Sequence, residues 1–392
     1  MKTLPILKLL LSGLLASALA ACGGGGGGGG GTGDSGSGSL RLALTDAPSC
    51  GYDAVNITVL KVRVHQSASA SDSDGNWSEI VLNPPARVNL LNLTNGVLFE
   101  LGQTPLPTGK YTQLRLVLAE NGGTTPLANS LVLTGGGEVA LKTPSGQQSG
   151  VKTNINIDIA ANQMADFVLD FDACKSIVVA GASGQYLLKP VVSVIPRLVS
   201  GVAGFVDLSL ANGNTGVSLQ QGGVVFRTTT PDSAGKFLLQ PVTPGTYTMV
   251  LTAQGRATMV VTNVPVSADT VNSVNASSTA FNPPVSASGT VNGIAPVDTL
   301  VRVLQPLSVG TTVEVAGRFV DGATGSYAYT LPVGAPLVAP YVAVPTSLVF
   351  VPDLAAAGKY TLSASLPGFA DKTKVLDPLA AGATLTTNFT FP

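Results

Sequence analysis

The chain has 392 residues, with 21 basic and 22 acidic side chains and a net charge of −1. That balance gives no electrostatic basis for nucleic-acid binding, and no nucleic-acid partner is expected. Only 11% of residues are charged and 5% aromatic, so the surface must be largely Ser, Thr, Asn, Gln and Gly, which suits strands and turns and disfavours long charged helices.

The first element in chain order is a targeting segment. Met1-Lys2 gives a basic start, Leu9 to Leu15 an apolar run, and small residues follow up to Ala21. The run is too short for a membrane span and Lys8 interrupts it, so residues 1–21 are expected to be a secretory signal peptide. Its ending, Leu19-Ala20-Ala21-Cys22, resembles the lipobox of bacterial lipoproteins. The resemblance implies cleavage before Cys22, lipids on Cys22, and the membrane as a partner through that anchor. The alternative is an ordinary secreted protein with a chance cysteine. Gly23, with no aspartate after the cysteine, resembles the sorting pattern of Gram-negative lipoproteins and implies the outer membrane of the cell envelope.

Gly23 to Gly31 are nine consecutive glycines, followed by a Thr/Ser/Gly/Asp stretch to residue 38. Such a segment has nothing to bury and is expected to be a flexible tether reaching roughly 20–25 Å. The string Gly33-Asp34-Ser35-Gly36 also surrounds serine-protease nucleophiles, but here it lies in the tether with no histidine near it. Cleavage would remove Lys2 and Lys8, two of the 21 basic residues, leaving 19 against 22 acidic ones. With Cys22 assigned to lipid, Cys50 and Cys174 remain, an even number in an exported chain. One disulfide is the simplest reading, and two free thiols are the alternative. The loop so closed would exceed 100 residues, a constraint worth roughly 4–5 kcal/mol in the chain-entropy model.

From residue 39 onward, alternation of period two replaces helical periodicity. Leu114, Leu116 and Leu118 alternate with Gln113, Arg115 and Val117; Ile155, Ile157 and Ile159 with Asn154, Asn156 and Asp158; Phe167, Leu169 and Phe171 with Val168, Asp170 and Asp172. Turn signals at Asp74-Gly75, Asn95-Gly96 and Gly135-Gly136-Gly137 separate these runs. The expected class is all-β, a glycine tether followed by three sandwich-like domains. Proline-marked joints at Ile195-Pro196-Arg197 and Asn282-Pro283-Pro284 divide it into 39–197, 198–282 and 285–392.

The last two segments echo one another. Gly245-Thr246-Tyr247-Thr248 runs to Gly255, and Gly358-Lys359-Tyr360-Thr361 runs to Gly368. Gly235-Lys236-Phe237 and Gly325-Ser326-Tyr327 stand as the preceding strands, and Leu331–Pro345 is an apolar, proline-rich insertion in the second copy. This Gly-x-Tyr-Thr pattern resembles carboxypeptidase-regulatory-like domains, whose fold is similar to transthyretin and some starch-binding domains. Tyr247 and Tyr360 are expected as core aromatics rather than ligand platforms. In the first segment, Thr45-Asp46-Ala47-Pro48, Val62-Arg63-Val64-His65, Leu106-Pro107-Thr108-Gly109-Lys110-Tyr111-Thr112, Leu169-Asp170-Phe171-Asp172-Ala173 and Leu188-Lys189-Pro190 occur in order. Together they resemble an uncharacterised domain of Gram-negative bacterial lipoproteins, catalogued as of unknown function, which implies a β-rich exported domain and brings no known activity with it.

Few residues are candidates for chemistry. His65 is the only histidine. Alternation puts it with Lys61 and Arg63 on a solvated basic face, and no nucleophile elbow accompanies it. Asp170 and Asp172 are expected to project from one face of one strand, roughly 7 Å apart. With Asp46 they could bind Ca²⁺, but turn amides or pairing with Arg115 or Lys189 are the favoured partners. Asp72-Ser73-Asp74-Gly75-Asn76 has its glycine at position four rather than six and no glutamate at position twelve, so it is expected to be a hairpin turn rather than a calcium loop, and Trp77, which starts the next strand, is expected to be packed rather than ligand-bound. No catalytic residue, metal site or cofactor is therefore expected. The reading is a non-enzymatic envelope lipoprotein acting as a structural or interaction module, with a protein or glycan as ligand. The alternative is carbohydrate binding through the C-terminal sandwiches.

Overall fold

The computed structural model describes residues 36–46, 51–144, 150–181 and 184–392. The described residues are nearly all β, as the alternating pattern requires, with a few one-turn helices among them. Residues 1–35, with Cys22 and most of the expected tether, lie outside the described residues, as does Cys50; Ser37 and Gly38, expected as the end of the tether, instead open the first strand, where they pair with Pro107 and Leu106. The described residues contain no helix long and apolar enough to cross a membrane.

Residues 37–196 form a four-stranded and an eight-stranded sheet. The smaller one is centred on Ser37–Asp46, which runs parallel to Met164–Phe171 and antiparallel to Phe99–Pro107. The larger one is centred on Tyr52–His65 and Gly109–Leu118. Leu40, Leu42, Leu44, Leu114, Leu116, Leu118, Ile157 and Leu169 are buried between the two.

The next two bodies share one topology. In the second, Lys236–Leu239, Gly201–Phe205 and Val271–Ser273 form a three-stranded sheet facing Val224–Thr229, Thr215–Gln221, Gly245–Ala253 and Met259–Val266. In the third, Ser326–Pro332, Ser288–Ile294 and Thr384–Thr386 take the three-stranded places. Thr312–Phe319, Leu300–Pro306, Thr361–Ser365 and Lys372–Val375 take the other four. Each central strand of the small sheet has one antiparallel and one parallel neighbour, so the internal echo in the sequence is an echo of strand order.

The repeat breaks at the insertion. Leu337–Pro340 leaves the third body and pairs in parallel with Met259–Val266 of the second, and Val351–Pro352 extends that sheet by another strand. Beneath this crossing, Val250 and Val260 of the second body pack with Leu307, Val313 and Ala356 of the third. The two bodies thus share a sheet edge and a small core.

The Gly-x-Tyr-Thr motifs place buried tyrosines. Tyr111 and Tyr247 each donate from Oη to the carbonyl four residues upstream, at Pro107 (3.2 Å) and Thr243 (2.9 Å), and Tyr360 donates to Pro332 at 2.5 Å. All three are almost fully buried. Each satisfies its one polar atom while its ring fills the core, as a buried tyrosine must.

Candidate functional site

The most concentrated chemistry in the molecule lies where the three bodies meet. Parallel register sets Thr45 beside Asp170 and Asp46 beside Phe171, at the ends of their strands. Against them comes Arg227 from Val224–Thr229 of the second body, only 2% exposed. Its guanidinium pairs with Asp170, and its Nη2 donates to Thr45 Oγ1 at 3.0 Å. Thr45 Oγ1 in turn faces the Leu93 and Val97 carbonyls at 2.9 and 3.1 Å.

Asp46 is fully buried, and its Oδ1 accepts the Ala173 N–H at 3.0 Å. Its Oδ2 has no hydrogen-bond partner among the described residues. Burial pushes the Asp46 carboxyl well above the usual carboxylate range, and the nearby Asp172 and Asp170 charges add to the effect. Burial also raises Asp170, outweighing the attraction of Arg227.

Asp172 lies just beyond the strand. It caps the one-turn helix Ala173–Ser176, its Oδ1 accepting from the Lys175 N–H at 2.9 Å. Lys175 Nζ stands 3.5 Å from Asp172 Oδ2 and 3.1 Å from Oε1 of Glu314 in the third body. Burial alone would lower the Lys175 amine, but Asp172 and Glu314 reverse the effect and raise it. The other carboxylate oxygen of Glu314 is 3.3 Å from Arg302 Nη1. Gln220 of the second body brackets the Glu314 backbone, donating to its carbonyl at 2.8 Å and accepting its N–H at 2.7 Å.

Other contacts join the same bodies. The Asn95-Gly96 turn docks on the second body, where Asn95 N donates to Thr229 Oγ1 at 3.0 Å and Asn95 Oδ1 accepts from Leu238 N at 2.9 Å. Lys189 pairs with Asp298 of the third body. Gly181 N donates to Asp321 Oδ2 at 2.8 Å, and Gly322 N donates to the Val179 carbonyl at 2.8 Å.

Several expectations about these residues are corrected. Asp170 and Asp172 are not a carboxylate pair on one strand, because the strand ends at Phe171. Asp170 does not use Arg115 or Lys189, which go to Asp72 and Asp298. Its partner, Arg227, lies in a different body. Nor is the face of Lys61, Arg63 and His65 an open basic surface. The hairpin after His65 folds back, so that Trp77 lies under the guanidinium groups of Arg63 (4.5 Å) and Arg115 (4.8 Å) and against the His65 ring (5.0 Å). Glu79 ties down Lys61 and Arg63. His65 Nδ1 accepts the Ser67 N–H at 2.8 Å, and Nε2 is 3.0 Å from the Gly75 carbonyl, so its own hairpin occupies both ring nitrogens.

Cys174 is the second residue of the capped helix; its expected partner Cys50 and the lipidation candidate Cys22 lie outside the described residues. Among the described residues no group of three His, Cys, Asp or Glu is placed to hold a metal ion. The junction joins the three bodies through the Arg227–Asp170 and Lys175–Glu314 pairs. Arg227, Glu314, Lys175, Gln220 and Arg302 were not singled out from the sequence. Alternation gave no signal for Arg227, because Val224 and Phe226 make the opposite face of its strand the more apolar one, yet both are exposed and Arg227 is buried.

No curated protein matches the chain. Among solved structures, the Bacillus anthracis TIE protein is 12% identical over 91% of this chain and 50% of that one, with a TM-score of 0.18. A mutant type II cohesin–X-dockerin complex from Acetivibrio cellulolyticus is 26% identical over 22% of this chain and 55% of that one, with a TM-score of 0.17. The major pilin SpaA of Corynebacterium diphtheriae is 11% identical over 90% of this chain and 100% of that one, with a TM-score of 0.17. The chain spans about half the length of the first two, and likenesses this low carry no argument about function. Residues 37–190, which supply Asp46, Asp170, Asp172 and Lys175 to the junction, match the family model described as a domain of unknown function, DUF4382.

Proposed function

We propose that this is a non-enzymatic lipoprotein of the cell envelope, anchored through Cys22 to the outer membrane and acting as a structural or interaction module. Its two C-terminal bodies serve as carboxypeptidase-regulatory-like spacers. The observation that carries the reading is the use of the buried charges. Arg227, Asp170, Lys175 and Glu314 are spent on pairs between bodies, and the single histidine is tied into its own hairpin. Groups held in this way tie the three bodies to one another, which suits a structural or interaction module.

The test combines two measurements on the full-length protein in a Gram-negative host. Metabolic lipid labelling and membrane fractionation should both be lost in Cys22→Ser, since several acyl chains at about 0.8 kcal/mol per buried methylene make the anchor nearly permanent. Unchanged fractionation of the variant would refute the anchor. Purified protein should turn over no polysaccharide, peptide or ester. Turnover abolished by His65→Ala or Asp170→Asn would refute the non-enzymatic reading.

A further inference from the structure

A cleft of about 1010 Å³ opens between the first and third bodies. One wall carries Tyr52, Ile177 and Val179, and the other Asn292, Ile294, Arg318, Phe319 and Asn388. The contacts of Asp321 with Gly181 and of Gly322 with Val179 tie the walls together at one edge.

The polar groups in this cleft are mostly donors. Arg318 is exposed and forms no salt bridge with any described residue; its guanidinium lies 4.9 Å over the Tyr329 ring. It is near enough to Tyr52, across the cleft, to act on that hydroxyl electrostatically. Asn292 and Asn388 each use Oδ1 within the protein, accepting from Thr386 Oγ1 at 2.8 Å and from the Ile294 N–H at 2.9 Å. Their Nδ2 groups donate to no described residue and remain for a ligand. The one carboxylate in the lining, Asp321, is saturated: Oδ1 accepts from Ala323 N, Thr324 N and Thr324 Oγ1, and Oδ2 from Gly181 N. A guanidinium and two amide donors, in a lining that also holds the half-buried side chains of Tyr52 and Phe319, are complementary to a ligand with ring faces, many acceptor oxygens and a carboxylate.

We propose that the cleft between Tyr52 and Arg318 binds an acidic polysaccharide, with Arg318 on the uronate carboxylate and the Asn292 and Asn388 amides on ring or hydroxyl oxygens. The proposal rests on the reading of the chain as a binding module, and it goes beyond that reading by naming a site and a ligand class.

The test is calorimetric titration of the full mature protein with oligogalacturonate, with its methyl ester, and with polyglutamate of similar charge. The free acid should bind, and the methyl ester should bind at least tenfold more weakly. Arg318→Gln should weaken binding of the acid at least tenfold. Asn388→Asp keeps the acceptor for Ile294 and replaces only the free donor, and it should have a comparable effect. Unchanged melting temperatures of both variants would separate loss of a contact from loss of fold. Absence of binding, equal affinity for the ester, equal affinity for polyglutamate, or binding indifferent to both variants would each overturn the site. None of those outcomes touches the non-enzymatic reading, which fails only on turnover.

Discussion

Arg227 and Asp170 belong to different sandwiches, yet each is almost wholly buried and each is the other's counter-charge. Two isolated buried ions would be far more expensive than the pair, so burying either residue at this junction requires the other. Arg227→Met removes the cation and strands Asp170 and Thr45. It should cost about 3–5 kcal/mol, the usual penalty for breaking a buried pair from one side. The double variant Arg227→Met, Asp170→Leu should recover much of that loss. A double-mutant cycle by chemical denaturation measures it, and additive losses would show that the two residues are not coupled.

The buried Asp46 carboxyl gives the junction a pH dependence. Its folded pKa lies above the unfolded value of 3.8, so the folded state holds the proton more tightly. The associated stability is complete below the unfolded value and is lost as pH rises through the folded one. Asp46→Asn keeps an oxygen for the Ala173 N–H and removes the charge. Its melting temperature relative to wild type should therefore climb as pH is raised from below 3.8 towards neutrality. A difference that stays flat across that range would show that Asp46 carries no such linkage.

The strand exchange between the second and third bodies predicts that neither stands well alone. A chain ending at residue 285 loses Leu337–Pro340, leaving the Met259–Val266 edge unpaired and uncovering Val250 and Val260. An open apolar edge of that kind is an aggregation site. The truncated protein should elute as aggregates or melt well below the full chain. A monomer with an unchanged melting temperature would contradict the shared core.

Cys174 sits between the Asp172 cap and Lys175, in the one-turn helix that reaches the third body. If Cys50 and Cys174 are joined as the sequence leads us to expect, an unreduced digest should yield the linked peptides by mass spectrometry. Reduction should then loosen the Lys175–Glu314 contact and destabilise the fold by roughly 4–5 kcal/mol, in the chain-entropy model. Two alkylatable thiols in the native protein would dismiss the pairing.

Alternation in the sequence was enough to give the all-β class and the inward faces. Leu114, Leu116 and Leu118 are buried as the period of two requires, because a strand must turn alternate side chains to one side. The glycine–tyrosine motifs likewise marked strands with buried rings: Gly109 and Gly358 take positive φ, and Tyr111 and Tyr247 satisfy their hydroxyls on carbonyls only four residues upstream. Alternation is silent about what covers the other face. Val168 reads as outward and is fully buried, while Gln113 and Arg115, polar and outward by pattern, are covered as well. The hairpin bearing Asp72 and Trp77 covers Arg115, supplying a carboxylate and a ring from more than 35 residues upstream. The junction residues were illegible for the same reason. Asp170 and Arg227 are 57 positions apart and lie in different bodies, and no local propensity records that a carboxylate at the end of one strand will meet an arginine from another. The sequence determined the strands, their inner faces and the repeated unit, because backbone sterics and burial act over a few residues. Only the tertiary structure decided which charges would be buried together and which strand would cross to a neighbour, because those choices depend on surfaces that exist once the three bodies have docked.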